Sequence, residues 1–214
     1  MHSDSQTPCG GQQKSVIDMA KKDIILSGVG GQGILSIATV IGWAALDQNL
    51  HLKQAEVHGM SQRGGDVQSN LRISTERIWS DLIPKGECDL ILSLEPMEAL
   101  RYLPWLSRTG WIVTNSTPFV NIPNYPPMEE ITAELGKVGN VITLDCDGIA
   151  KRTGAPRGAN MVLLGASAAV MGILEPEKLR EGIADVFSRK GEKVVEMNIA
   201  AFNAGLDASK NFSK

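Results

Sequence analysis

The stretch Asp23-Ile24-Ile25-Leu26-Ser27-Gly28-Val29-Gly30-Gly31-Gln32-Gly33 decides the fold class. It begins as a short apolar, β-branched run and ends in a glycine cluster that matches G-x-G-x-x-G. Beyond it, Ile34, Ile37, Ala38, Ile41 and Ala45 recur at helical spacing. Strand, glycine turn and helix in that order form the opening unit of an α/β sheet. Glycines there permit a tight turn and close backbone approach, and the first amides of the helix attract an anion. Three readings stay open. A dinucleotide lies on the turn, with Glu56 at the end of the next strand holding its ribose hydroxyls; another anion or cofactor phosphate does; or the glycines serve only the crossover.

Working outward, short apolar runs at 52–57, 67–73, 89–94, 111–114 and 141–144 read as strands, and 96–106 and 128–135 as helices. The run 67–73 alternates apolar and polar residues and is expected to pair with 78–80 as an antiparallel hairpin. Past residue 145 the pattern turns helical. Residues 160–172 are rich in Ala, Gly and Ser, which lets a helix approach its neighbour closely. Two further helices, at 177–188 and 192–208, each carry one apolar face; Val195, Ile199, Phe202 and Leu206 mark the second. The expected fold is a three-layer α/β/α, Rossmann-like unit with a mainly parallel sheet and a helix-rich C-terminal third. One domain is expected at 22–208, between tails at 1–21 and 209–214.

With 43% hydrophobic and 21% charged residues, the 214-residue chain can build a core without disulfide or metal staples. A net charge of −3 and 5% aromatic residues argue against a nucleic-acid partner. Cys9, Cys88 and Cys146 are isolated and form no CxxC, so the sequence offers no metal or iron–sulfur site and suits a reducing cytoplasm. The N-terminal residues lack the apolar core of a signal peptide, and the longest apolar stretch, 161–174, is short for a bilayer. A cytoplasmic chain without membrane contact is expected.

A second stretch, Glu56-Val57-His58-Gly59-Met60-Ser61-Gln62-Arg63-Gly64-Gly65, packs polar groups among glycines between two apolar strands. Ligands of open α/β sheets bind at the carboxyl ends of the strands, so this loop should sit beside the first glycine turn. Arg63 offers a forked donor to a phosphate or carboxylate, and His58 can donate, accept or titrate. These two are the candidate catalytic residues. Glu95, Asn115, Cys146, Arg157 and Asn160 stand at further strand ends or helix starts, each with a structural reading beside the functional one. No GxSxG elbow, P-loop or paired-carboxylate site occurs, which argues against a self-sufficient hydrolase or phosphotransferase.

Together, GVGGQG at 28–33 and EVHGMSQRGG at 56–65 resemble the gamma domain of the 2-oxoacid:ferredoxin oxidoreductases. The resemblance covers nearly all of 23–206, Asn160 and the Leu163-Leu164-Gly165-Ala166 stretch included. It implies oxidative decarboxylation of a 2-oxoacid, with thiamine diphosphate and Fe–S clusters, to an acyl-CoA and reduced ferredoxin. The free-standing chain is most similar to the indolepyruvate-oxidising branch, in which the thiamine site and clusters belong to a larger alpha subunit. By motif match, the resemblance makes Gly28, Gly30, Gly31, Gln32 and Gly33 the turn facing the cofactor region. Glu56, His58, Gly59, Ser61, Gln62, Arg63, Gly64 and Gly65 become its companion loop, and Asn160 joins them. It implies no tightly bound cofactor on this chain alone, with CoA as co-substrate. The alternatives are a stand-alone NAD(P)- or flavin-dependent enzyme and a non-catalytic binding module.

Overall fold

In the computed structural model, which describes residues 20–58, 64–210 and 212, the apolar run around Ile24 forms strand β1 (Lys21–Val29). Ile24 and Leu26 enter one core and Ile25 another, all fully buried. A strand covered on both faces is apolar throughout rather than alternating, which is why 24–26 has no polar break. Helix α1 (Ile34–Asp47) follows the glycine turn, then β2 (His51–His58), β3 (Asp66–Ser74) and β4 (Cys88–Ser93). The chain continues through α2 (Pro96–Arg101), β5 (Leu106–Asn115), α3 (Met128–Leu135) and β6 (Val141–Leu144). It ends in α4 (Cys146–Arg152), α5 (Ala159–Met171), α6 (Pro176–Phe187) and α7 (Glu192–Ser209).

The sheet runs β2-β3-β1-β4-β5-β6. The pairs β1–β4, β4–β5 and β5–β6 are parallel, and β3 is antiparallel to both its neighbours. Helices α1 and α4–α7 contribute to the core on one face; α2 and α3 cover the other. The result is a three-layer α/β/α unit whose sheet is mixed, β3 alone running against the rest.

Several expectations are corrected. The run 67–73 forms its hairpin with β2, His51 opposite Ser74 and His58 opposite Val67, while 78–80 joins no strand. The reason is Arg72, whose guanidinium grips the fully buried Asp23 opposite it on β1 at 2.8 and 3.0 Å. Its remaining nitrogen holds the carbonyls of Ser80 and Leu82, so those carbonyls face a side chain instead of a ladder. The helix expected at 96–106 stops at Arg101, and a 3-10 turn at Leu103–Trp105 leads into β5. Pro104 lacks the amide an α-helix needs and disfavours α geometry before it. Strand β1 begins at Lys21, which pairs with Ser74, and α7 runs through the buried Ser209.

Candidate functional site

The chain leaves β1 toward α1 on one face and leaves β4 toward α2 on the other. This makes the carboxyl ends of β1 and β4 the switch point of the sheet, where open α/β folds form a crevice. Gln32 bridges it. Its side-chain oxygen accepts from the Val29 amide at 2.7 Å, and its nitrogen donates to the Leu94 carbonyl at 3.1 Å. A Cβ on Gly28 would lie 2.8 Å from that oxygen, so Gly28 is bare to admit Gln32. Gly33, at φ 89°, closes the turn in the left-handed region as the N-cap of α1. A Cβ there would meet Asn160 Nδ2 at 2.7 Å, and the same nitrogen donates to the Gly33 carbonyl. Asn160 stands in the first turn of α5, more than nine-tenths buried.

The companion loop is partly in view. The Gly65 carbonyl accepts from the Gly30 amide at 2.8 Å, so the two glycine stretches touch, as expected of loops at one sheet edge. The Gly64 carbonyl accepts from Asn121 Nδ2 at 2.7 Å. Gly59, Ser61, Gln62 and Arg63 lie outside the described residues, and His58 is placed only as the last residue of β2. Glu56 is exposed and accepts from Gln54 Nε2. Its strand partner is Ser69, whose own partner is Leu26, so two strand spacings (about 9–10 Å) separate Glu56 from β1. That is far from a ribose beside the turn. The glycine space at 28 and 33 faces the chain's own Gln32 and Asn160 rather than a pyrophosphate, and the geometry argues against the dinucleotide reading.

On the α5 side, Gly31, Gln32 and Gly33 open onto a cleft of about 560 Å³ that also reaches Arg157, Asn160, Lys190 and Asn198. Phe187, Val194 and Met197 give it an apolar wall, and no Asp or Glu is among its described lining residues. Lys190 Nζ stands 5.0 Å from the Phe187 ring centre, over its negative face. Two cations and no carboxylate make this a place for an anion with an apolar portion. The Gly30 and Gln32 amides, by contrast, bond to Gly65 and Val29 and are not turned to the cleft as donors. Lys190 and Asn198 carried no local signal in the sequence, because the 3-10 turn after α6 and helix α7 bring them in from more than 150 positions away.

The weaker candidates resolve into structure. Fully buried Glu95 caps α2 by accepting the Glu98 amide at 2.8 Å. Asn115 ties β5 to α4, accepting from the Cys146 amide and donating to Asp147. Burial, then the neighbouring Asp147 and Asp145 carboxylates, push the Cys146 thiol well above its ordinary range, so it is an inert core residue. Among the described residues, no group of three or more His, Cys, Asp or Glu side chains could hold a metal, and no helix is long and apolar enough to cross a membrane.

Residues 23–208 match the family model described as pyruvate ferredoxin/flavodoxin oxidoreductase. The chain belongs to that family. It is 37% identical, over 87% of its length and 97% of the relative's, to the indolepyruvate oxidoreductase subunit IorB of Methanothermobacter thermautotrophicus. The ketoisovalerate oxidoreductase subunit VorA of the same organism is 29% identical over 85% of the chain, which spans only 35% of that subunit. Among solved structures, the gamma subunit of a keto/oxoacid ferredoxin oxidoreductase from Geobacter sulfurreducens superposes with a TM-score of 0.64. That likeness, at 27% identity, covers 88% of this chain and 98% of the other. The 2-oxoglutarate:ferredoxin oxidoreductase of Magnetococcus marinus, solved with 2-oxoglutarate, coenzyme A and succinyl-CoA, shares the fold (TM-score 0.70, 22% identity, 89% of this chain and 31% of that one). As a member of this oxidoreductase family, the chain is a subunit of a 2-oxoacid:ferredoxin oxidoreductase, an enzyme acting on the 2-oxo group.

Proposed function

We propose that this chain is the smaller subunit of an indolepyruvate:ferredoxin oxidoreductase, converting indolepyruvate and other aryl pyruvates with CoA to the aryl-acetyl-CoA, CO2 and reduced ferredoxin. It works in the cytoplasm and is inactive alone. A larger alpha subunit holds the thiamine diphosphate and Fe–S clusters and passes electrons to ferredoxin. The near full-length likeness to IorB supports the substrate class. Buried Cys88 and Cys146 do not fit cluster ligation, so no redox step is assigned to this chain's described residues.

The observation that carries the reading is the cleft beside Gly31–Gly33, which pairs Arg157 and Lys190 with an apolar wall. CoA, which supplies the thiol that takes up the acyl group, carries phosphates on a nucleotide with a long arm that is apolar in part, and the donor set fits it. Arg157 and Lys190 bind the phosphates, Phe187 and Met197 cover the apolar portion, and Gly28, Gly30, Gly31, Gln32, Gly33 and Asn160 shape the rim. The companion stretch 56–65, with His58 and Arg63, is assigned to the same region on the bond that joins its Gly65 to the Gly30 amide. In the complex with its partner subunit, replacing both Arg157 and Lys190 by Ala should raise the CoA Michaelis constant at least tenfold, since each charge-assisted contact is worth about 1.4 kcal/mol or more. Turnover at saturating CoA should hold within about twofold. An unchanged CoA constant would sink this placement.

A further inference from the structure

Residues 116–127 leave the carboxyl end of β5 without helix or strand and carry four prolines, Pro118, Pro123, Pro126 and Pro127. A segment of that length without regular structure is uncommon inside a compact unit and needs something to hold it. What holds it is Glu95. This carboxylate, fully buried at the end of β4, accepts the Phe119 amide at 3.3 Å and the Tyr125 phenol O–H through one oxygen, and the Glu98 amide through the other. Buried carboxylates are retained where donors surround them, and here two of the three donors belong to 116–127. From that anchor the segment reaches past β1 to the β2–β3 connection, where Asn121 donates to the Gly64 carbonyl. Gly65, the next residue, accepts from Gly30 in the first glycine turn.

We infer that 116–127 is a fixed strap across the carboxyl edge of the sheet, anchored by Glu95, and that Asn121 is a positioning residue holding Gly64 and Gly65 against the first glycine turn. The chain of bonds is continuous: Glu95 to Phe119 and Tyr125, Asn121 to Gly64, Gly65 to Gly30. Gln32 closes it on the other side through the carbonyl of Leu94, the residue before Glu95. The two glycine stretches are thus registered to each other by a third segment that carries none of the family motif.

Amide hydrogen exchange on the purified chain tests this without partner or ligand. Asn121→Ala should speed exchange of the Gly30 amide about fivefold, the worth of one hydrogen bond of this kind. Tyr125→Phe, which keeps the ring, should speed both the Phe119 and Gly30 amides. The Ile24–Leu26 amides should not change in either variant. An unaltered Gly30 amide in Asn121→Ala would overturn the inference, and so would a speeding spread evenly over β1 and β4, which is general destabilisation. In the assembled enzyme, and resting on the function proposed above, Asn121→Ala should raise the CoA Michaelis constant several-fold with turnover held. A faster Gly30 amide with an unchanged constant would keep the strap and overturn the CoA placement.

Discussion

Gly33 is the residue on which the turn depends. Its φ of 89° costs an L-residue strain, and the side chain it lacks would meet Asn160. Gly31, at φ 102°, carries the same backbone constraint but has open space where a Cβ would go. The two positions therefore separate strain from contact. Gly31→Ala should destabilise the chain by about 1 kcal/mol from strain alone, and Gly33→Ala by about 2–3 kcal/mol. In an Asn160→Ala background the Gly33→Ala penalty should fall to that of Gly31→Ala. Urea denaturation of the four variants checks this, and a penalty indifferent to Asn160 would show that strain is the whole effect. The glycine spacing was legible in the sequence and the resemblance grouped Asn160 with it, but not that Asn160, 127 residues away, fills the space beside Gly33.

Between elements, α5 packs closely on α7. A Cβ on Gly165 would run into the Phe202 carbonyl, and one on Gly205 into the Val162 carbonyl, so the two backbones touch at a glycine from each helix. The small residues of 160–172 signalled close packing without naming the partner. Alanine is the better helix former by about 1 kcal/mol, but at this crossing its methyl must force the helices apart. Gly165→Ala should therefore lower stability by about 2 kcal/mol or more, read as a fall in melting temperature. An unchanged or raised melting temperature would mean the helices slide to accommodate it. The β2–β3 hairpin is a second case. Its alternating pattern was visible, but not that β3 pairs on its other side with β1, where Arg72 holds Asp23, a residue 49 positions away that no local period encodes.

At the scale of the molecule, two cores lie on opposite faces of one sheet, and each holds a cysteine: Cys88 with α2 and α3, Cys146 with α1 and α4–α7. Burial raises the Cys88 thiol from its ordinary 9.0 to about 12, and burial also raises that of Cys146. A thiol with a raised folded-state value keeps its proton longer folded than unfolded. The unfolded chain binds fewer protons above pH 9, so stability is level below that point and falls as pH climbs toward 12. Denaturation midpoints at pH 8, 9 and 10 should show the decline beginning near 9, and replacing both cysteines by Ala should flatten it. A slope unchanged by those replacements would assign it to other groups.

By itself the sequence determined the strand, glycine turn and helix at 23–47, the strands at 89–94 and 141–144, and the amphipathic helices after 176. Each rests on short-range periodicity, which a few neighbouring residues write into the chain. Tertiary structure alone decided that β3 inserts between β1 and β2, carrying Glu56 two strands from the turn its spacing had suggested. It also decided that Lys190 joins Arg157 and Asn160 beside Gly31–Gly33, and that Asn121 reaches Gly64. Strand order and side-chain convergence depend on contacts between residues tens to more than a hundred positions apart. Those contacts are settled by which surfaces bury one another, and burial has no period to read.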